Sequence, residues 1–549
     1  MKKIYPSILF LAATASLAFC AVSSAEPTAT PKNEKKKPNI IFFITDDMLP
    51  QHFNFTPHGK NWKRKTITPN IEKLADQGTV MLNQYTCSPL CTPSRYSCLT
   101  GRYPSRADNP YFLETTKKYH GQTYVEFNSH ITPEDKETLP VLMKKAGYVT
   151  GFVGKNHVVE VNGLKGFPNF DASAKDPENA SKLKANYDHV CQAIRECGFD
   201  YVSRVYHNNP DFLGLREVAV HNMDWITEGG IEFIKQYHDR SEPFFLYFAT
   251  TLPHGPTEAD RAWNANPLLT AEGYIKKAPQ VQPARETIPE RIKKAGLEPT
   301  DQACNMLWVD DALGALLKTL EETGELDNTI IFFFNDQWMT AKGTVYEGGA
   351  HTPSIVWQKE GFPVGRWCDA LVTSVDFAPT LLDFADYNYT NVSFDGESFK
   401  PYLYGTKQDP DRTIYFELGF SRGVMKDGWK YMRIQYPEEI ANMSLEERKE
   451  LLEKWNAERR RKHLNIVTED PTAPFSHLTA IPGGGDAEKG STGTKHYPGY
   501  YDPDQLYSIP DDPREQKNVA KDPERKEKLN EMQKEMEKII STLPGKFEI

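Results

Sequence analysis

Four short runs of nearly continuous apolar character mark the N-terminal part of the chain, and each closes on polar residues. They are Asn39 to Thr45 (NIIFFIT), Tyr148 to Val153 (YVTGFV), Pro243 to Thr250 (PFFLYFAT) and Asn328 to Phe334 (NTIIFFF). A strand that does not alternate with polar residues buries both its faces, as in a sheet covered by helices on either side. Helical spacing fills the gaps: Thr68 to Gln77 opens on Pro69, Leu139 to Ala146 stops at Gly147, and Val309 to Thr323 stops at Gly324. Strand alternating with helix predicts a doubly wound, mainly parallel or mixed α/β sheet.

The pattern changes after Asp395-Gly396. Ile414 to Leu418 and Gly428 to Tyr436 read as strands of a smaller antiparallel unit, Leu445 to His463 as a charged helix, and Pro523 to Leu543 as a final helix. Pro482 to Gly499, with three consecutive glycines, reads as a flexible loop. The expected division is a large α/β domain over 38–400 and a smaller C-terminal α+β domain over 401–549.

The first residues stand apart. Met1 to Ala25 carries Lys2 and Lys3, an apolar stretch from Ile8 to Cys20, and a small-residue end at Ser23-Ser24-Ala25. This is the pattern of a secretory signal peptide, followed by a charged linker over 26–37. Leu17-Ala18-Phe19-Cys20 also resembles a lipoprotein box, although Phe19 is bulky where a small residue is normal. The expectation is an exported protein, periplasmic or extracellular, with lipid anchoring through Cys20 as the alternative.

Composition then narrows the partners. Lys+Arg 65 against Asp+Glu 75 gives −10, and loss of Lys2 and Lys3 makes it −12. That balance opposes a nucleic-acid partner held by bulk charge. Eight cysteines in 549 residues are too few for a disulfide scaffold, although Cys191 and Cys197 are close enough in sequence to pair in an oxidising compartment.

In open α/β sheets ligands sit beyond the carboxyl ends of the strands. The residues that follow the four apolar runs are therefore the informative ones. They are Asp46-Asp47, Gly154-Lys155-Asn156-His157, Pro253-His254-Gly255-Pro256 and Asn335-Asp336-Gln337. Parallel strands bring all four sets to one rim. Three carboxylates and an amide oxygen suit Ca²⁺ or Mg²⁺, and the lysine and histidines suit anion binding and proton transfer. Each alone is weak, since an Asp pair at a strand end is more often a turn or a helix cap.

Cys91-Thr92-Pro93-Ser94-Arg95-Tyr96-Ser97-Cys98-Leu99-Thr100-Gly101 is the strongest signal. Pro93 suits a first helical turn and Gly101 a C-terminal cap, which places Cys91 at a helix N-terminus. The dipole and Arg95 there favour an anion. Read from the residues alone, Cys91 is a candidate low-pKa nucleophile, whereas Cys98, beside Leu99 and Tyr96, fits a buried structural cysteine.

This segment resembles the signature of the type I sulfatases, Cys-x-Pro-Ser-Arg followed by Thr-Gly, within the alkaline-phosphatase superfamily. The opening Pro38-Asn39-Ile40 strand with its Asp pair, the stretch Lys342 to Gly349, and Leu506-Tyr507-Ser508 with Asp512 to Glu515 match as well. The resemblance implies an alkaline-phosphatase-like fold and hydrolysis of sulfate esters, on a carbohydrate by the habits of bacterial relatives. It implies that a dedicated maturation enzyme oxidises Cys91 to Cα-formylglycine, whose hydrate displaces the alcohol and then expels sulfate. By the same resemblance Asp46, Asp47, Asp336, Gln337 and the modified Cys91 hold a cation, usually Ca²⁺ and less often Mg²⁺. Arg95 would stabilise the hydrate, and Lys155 and Lys342 would neutralise sulfate charge. His254 would protonate the leaving oxygen, and His157 would deprotonate the second hydroxyl.

Departures from the family pattern are visible. Asn335 and Trp338 replace the usual neighbours of the second metal Asp, Gln337 has a longer arm than the common Asn, Asn156 replaces a common Trp, and His351 a common Arg. His58, His207, His351 and the 482–499 loop are candidate pocket positions. Two alternatives remain from the sequence: a phosphomonoester, phosphodiester or phosphonate hydrolase of the same superfamily, and a non-catalytic binder of sulfated glycans.

Overall fold

Successive side chains of Asn39–Thr45 (β1) go to opposite faces and all seven residues are buried. Ile40, Phe42 and Ile44 join one hydrophobic core, and Ile41 and Phe43 join another. Phe244–Ala249 and Thr329–Asn335 repeat this division, with Tyr247 and Phe332 in the first core and Phe248 and Phe333 in the second. Two-sided burial is thus the reason for the near-continuous apolar runs.

The computed structural model describes residues 36–56, 65–363, 366–407, 409, 411–461, 466, 469–472 and 496–549. The signal peptide, the linker up to residue 35, Cys20, His58 and most of the 482–499 loop lie outside the described residues. Residues 37–549 form one compact unit.

The main sheet has eight strands: β1, Thr79–Met81 (β2), Val149–Lys155 (β3), Tyr201–Tyr206 (β4), Phe244–Ala249 (β5), Thr329–Asn335 (β6), Ser354–Trp357 (β7) and Arg366–Cys368 (β8). Their spatial order is β8-β2-β7-β6-β1-β5-β3-β4. All run the same way except β7, which is antiparallel to both its neighbours. Helices Pro69–Gln77 (α1), Met223–Tyr237 and Asp301–Glu322 cover one face. Cys91–Thr100 (α2), Leu139–Lys145 and Phe377–Phe384 cover the other.

A second sheet, Ile414–Leu418, Ser421–Lys426, Trp429–Ile434 and Asp504–Ser508, is antiparallel throughout. It alternates cleanly. Val424, Tyr431 and Leu506 pack on Met532 and Met536 of the final helix Lys526–Ile540, while Met425, Met432 and Tyr507 join the first core of the main sheet.

The four apolar runs fold as strands within two residues of the sequence boundaries. One difference affects the site: β3 continues through Gly154 to Lys155, so Lys155 ends a strand and does not begin a loop. The register against β4 shifts between Val153 and Gly154, and Gly154 takes φ +93°. A Cβ there would lie 1.8 Å from the Ala249 carbonyl oxygen on β5. Gly154→Ala is therefore expected to lower stability by at least about 3 kcal/mol. Thermal unfolding checks this, and an unchanged midpoint would contradict the close approach.

Strands β2, β4, β7 and β8 escape the apolar pattern because they are short or, like β4, only partly buried. The possible Cys191–Cys197 pairing is not formed; both are free, buried thiols. No described helix is long and apolar enough to cross a membrane.

Candidate active site

Helix α2 starts immediately after an extended Leu90 and ends on Gly101 at φ 64°, whose N–H bonds Ser97 O. All ten of its residues are buried, with Pro93 in the first turn, where its missing N–H is not needed. The Ser94 hydroxyl donates to the Asp336 carbonyl at 2.7 Å and accepts from Thr86 at 2.9 Å. This fastens the N-terminus of α2 beneath the end of β6.

The ends of β1 and β6 are joined in the same way. Asp336 N–H donates to Thr45 O at 3.2 Å, and Met48 N–H to Asn335 Oδ1 at 2.9 Å. Asn335 thus ties the two acidic loops together. Asp47 and His157 both sit at positive φ, 63° and 52°, each two residues past the end of its strand.

The predicted residues converge. Arg95 Nη2 donates to Asp46 Oδ2 at 3.1 Å and Asp336 Oδ2 at 3.0 Å, all fully buried. Lys155 Nζ donates to Asp46 Oδ2 as well. Lys342 Nζ donates to Asp47 Oδ2 at 2.7 Å. Cys91 Sγ lies 3.5 Å from Asp46 Oδ1, 3.5 Å from Lys342 Nζ and 3.4 Å from Gln337 Nε2. His254 Nε2 is 3.3 Å from Asp47 Oδ2. His157 lies beside this group, stacked on Phe127 at 5.4 Å, and its backbone N–H bonds His207 O at 3.1 Å. No direct bond from His157 to the other site residues is present among the described residues.

Burial opposes ionisation of Asp46, but Lys155 and Arg95 hold its carboxyl well below the usual range. Burial and the Asp46 charge push Asp336 the other way. Burial lowers the His254 imidazole, partly offset by Asp47. Burial, and after it Lys155, hold His157 well below its ordinary value, so its ring is neutral. For Cys91 the structure corrects the reading of a low-pKa nucleophile. Burial and then the Asp46 carboxylate push its thiol up to about 12, against a helix N-terminus that alone would lower it.

The oxygen donors fit a hard divalent cation. Ligand atoms of Asp46, Asp47 and Asp336 all lie within 4.8 Å of one another, and all three residues are buried. The Gln337 amide turns Nε2 toward Asp47 Oδ1 and Cys91 Sγ, leaving a buried Oε1 without a partner among the described residues. Rotating the amide by half a turn brings that oxygen to face the carboxylates, making a set of four oxygen ligands.

Residues 38–387 match the family profile described as Sulfatase. The chain belongs to the sulfatase family. These are the type I sulfatases of the alkaline-phosphatase superfamily, and membership implies a divalent metal. An N-acetylgalactosamine-6-sulfatase of Mus musculus is 26% identical over 374 residues, 63% of this chain and 62% of that one. An N-acetylglucosamine-6-O-sulfatase of Bacteroides thetaiotaomicron is 25% identical over 487 residues, 75% of this chain and 77% of that one. The solved phosphonate monoester hydrolase from Silicibacter pomeroyi shares the fold, with TM-score 0.54, 17% identity and coverage of 92% and 96%.

The sulfatase site also holds residues the sequence did not single out. Tyr247, in the middle of an apolar strand taken as core alone, places its hydroxyl 3.5 Å from Arg95 Nη1. A hydroxyl within FFLYFA was the available signal. Asn209, on the loop after β4, lies 3.0 Å from His254 Nε2. His221, fully buried, bonds Thr251 at 2.8 Å behind the His254 loop. Neither carries a local pattern that sequence reading could use. Two positions that depart from the family pattern turn inward. His351 is buried between Tyr85 and Trp338, with Nε2 on Leu82 O at 2.7 Å. Asn156 folds onto its own turn, accepting from Val159 N–H at 2.9 Å. His207 is half-buried and lines a small apolar slot with Phe212 and Leu213.

Proposed function

We propose that this protein hydrolyses sulfate esters of a carbohydrate to the alcohol and inorganic sulfate, with Cys91 matured to formylglycine and Ca²⁺ as the cation. The observation that carries the reading is the place of Cys91 Sγ, within 3.5 Å of Asp46, Gln337 and Lys342 at once. Oxygens replacing that sulfur stand among a carboxylate, an amide and an ammonium group, where a hydrated aldehyde finds partners.

Charge supports an anionic substrate. Asp46, Asp47 and Asp336 oppose Arg95, Lys155 and Lys342, three against three, in a buried cage. A divalent cation added to a balanced cage leaves net positive charge to receive an ester anion, despite the acidity of the whole chain. Asp46, Asp47, Asp336 and Gln337 would hold the cation, which when bound polarises a sulfate oxygen. Formylglycine, as its hydrate, supplies an oxygen nucleophile and a second hydroxyl.

The chain's own residues do the rest. Arg95 holds Asp46 and Asp336 in place and stabilises the hydrate. Lys155 and Lys342 neutralise charge on the sulfate. His254, as the imidazolium, gives its Nε2 proton to the leaving oxygen and keeps the one on Nδ1, and the neutral His157 ring accepts a proton from the second hydroxyl. The Met1–Ala25 pattern supports export, and maturation of Cys91 requires a transient encounter with a formylglycine-generating enzyme.

The names of the mouse and Bacteroides relatives make 6-O-sulfated N-acetylhexosamines the first substrates to test. Shared fold with a phosphonate monoester hydrolase makes phosphonate esters the competing class. Matched sulfate, phosphate and phosphonate esters of one N-acetylhexosamine are compared for kcat/KM. The expected result is sulfate release preferred by at least ~10²-fold; faster cleavage of the phosphorus esters would reverse the assignment.

A further inference from the structure

Asn209 precedes the 3-10 turn Pro210–Leu213 beyond the carboxyl end of β4, and only 8% of its surface is exposed. Its backbone is pinned on both sides. Its N–H donates to Asn208 Oδ1 at 2.7 Å, and its carbonyl accepts from Phe212 N–H at 3.0 Å. Among the described residues its carboxamide makes one contact, Nδ2 to His254 Nε2 at 3.0 Å, while Oδ1 is buried without a partner.

An imidazole has only two polar atoms. His254 Nδ1 lies 2.8 Å from the Gly255 carbonyl, which can only accept, so Nδ1 carries a hydrogen and donates it. The proton for the leaving oxygen is therefore a second one, carried on Nε2 of the imidazolium, and beside Nε2 stand Asp47 Oδ2 at 3.3 Å and Asn209. Gly255 holds one end of the ring, and a neutral side chain on a rigid turn holds the other. An amide there adds no charge against an anionic ester, and turned by half a turn it offers its unpartnered Oδ1 to a protonated Nε2.

We infer that Asn209 is a positioning residue for His254, fixing the imidazole plane so that Nε2 points at the oxygen leaving sulfur. This rests on the role proposed above for His254. The consequence depends on the leaving group. A saccharide alkoxide needs its proton as the S–O bond breaks, whereas an activated aryl oxide departs without one. A tilted imidazole therefore penalises the saccharide ester selectively.

The experiment compares Asn209→Ala and Asn209→Leu on 4-nitrocatechol sulfate and on a 6-O-sulfated N-acetylhexosamine. Leu keeps the branched four-atom shape of the side chain without its polar atoms, so it separates loss of the amide from an emptied site. The saccharide kcat/KM should fall at least ~10-fold further than the aryl value in both variants. His254→Ala should show the same leaving-group pattern, and adding Asn209→Ala to it should cost no more than ~2-fold again. Equal losses on the two esters, no loss on either, or full additivity in the double variant would each overturn the inference. Wild-type protein that releases sulfate from neither ester refutes the sulfatase reading itself, and this inference with it.

Discussion

Cys91→Ala should reduce sulfate release by at least ~10³-fold while leaving the fold in place. The sulfur is fully buried at the meeting point of three polar side chains, each 3.4 to 3.5 Å away. Alanine removes the only atom at that point that maturation can convert to a nucleophile. It takes little from packing, because the neighbours of the sulfur are polar and already paired among themselves. Asp46 keeps Arg95 and Lys155, Asp47 keeps Lys342, and Ser94 keeps its bond to Asp336. Thermal unfolding of the variant checks the second half of the expectation. Mass spectrometry of the wild-type peptide carrying Cys91 should show the thiol lost and an aldehyde gained. Full turnover in the variant, or an active wild-type protein with an intact thiol, would refute the proposed nucleophile.

Asp46→Asn should damage both stability and turnover. Asp46 accepts from Arg95 at 3.1 Å, from Lys155 and from the Cys91 thiol, and it is fully buried. Asparagine keeps the shape but loses the charge. Among the described residues Lys155 then has no carboxylate partner, and Arg95 keeps Asp336 as its one carboxylate. Stranding buried cations in this way costs about 3–5 kcal/mol, the reverse of the small effect expected for a surface pair. One of the three carboxylates that would hold the proposed cation is lost as well, so turnover should fall at least ~10²-fold. Denaturant unfolding and kinetics in excess Ca²⁺ check the two parts. Retained stability together with turnover within ~3-fold of wild type would show that Asp46 is not the hub of the site.

Much of the site was legible because it sits at strand ends. Asp46-Asp47, Lys155, His254 and Asp336-Gln337 each follow an apolar run, and parallel strands deliver their carboxyl ends to one rim. The Cys91 helix was legible for a local reason too, since Pro93 and Gly101 mark its first turn and its cap. What sequence reading missed has no local signature. The antiparallel strand Ser354–Trp357 is four residues long, and Asn209 is one polar residue in a polar loop. His351 looked like a pocket residue until Tyr85 and Trp338 closed over it.

The sequence by itself determined the alternation of buried strands and helices, the rim on which the charged residues gather, and the helix that begins at Cys91. These depend on periodicity and turn chemistry, which neighbours in the chain decide. Tertiary structure alone decided the state of those groups. The Cys91 thiol is pushed up to about 12 even though it stands at a helix N-terminus, because burial and Asp46 outweigh the dipole. Tyr247 belongs to the site because Arg95, 152 residues away, reaches its hydroxyl. Gln337 meets Asp47 across 290 residues of chain. Desolvation and the company of distant charges set acidity and ligand geometry, and neither exists until the chain has folded.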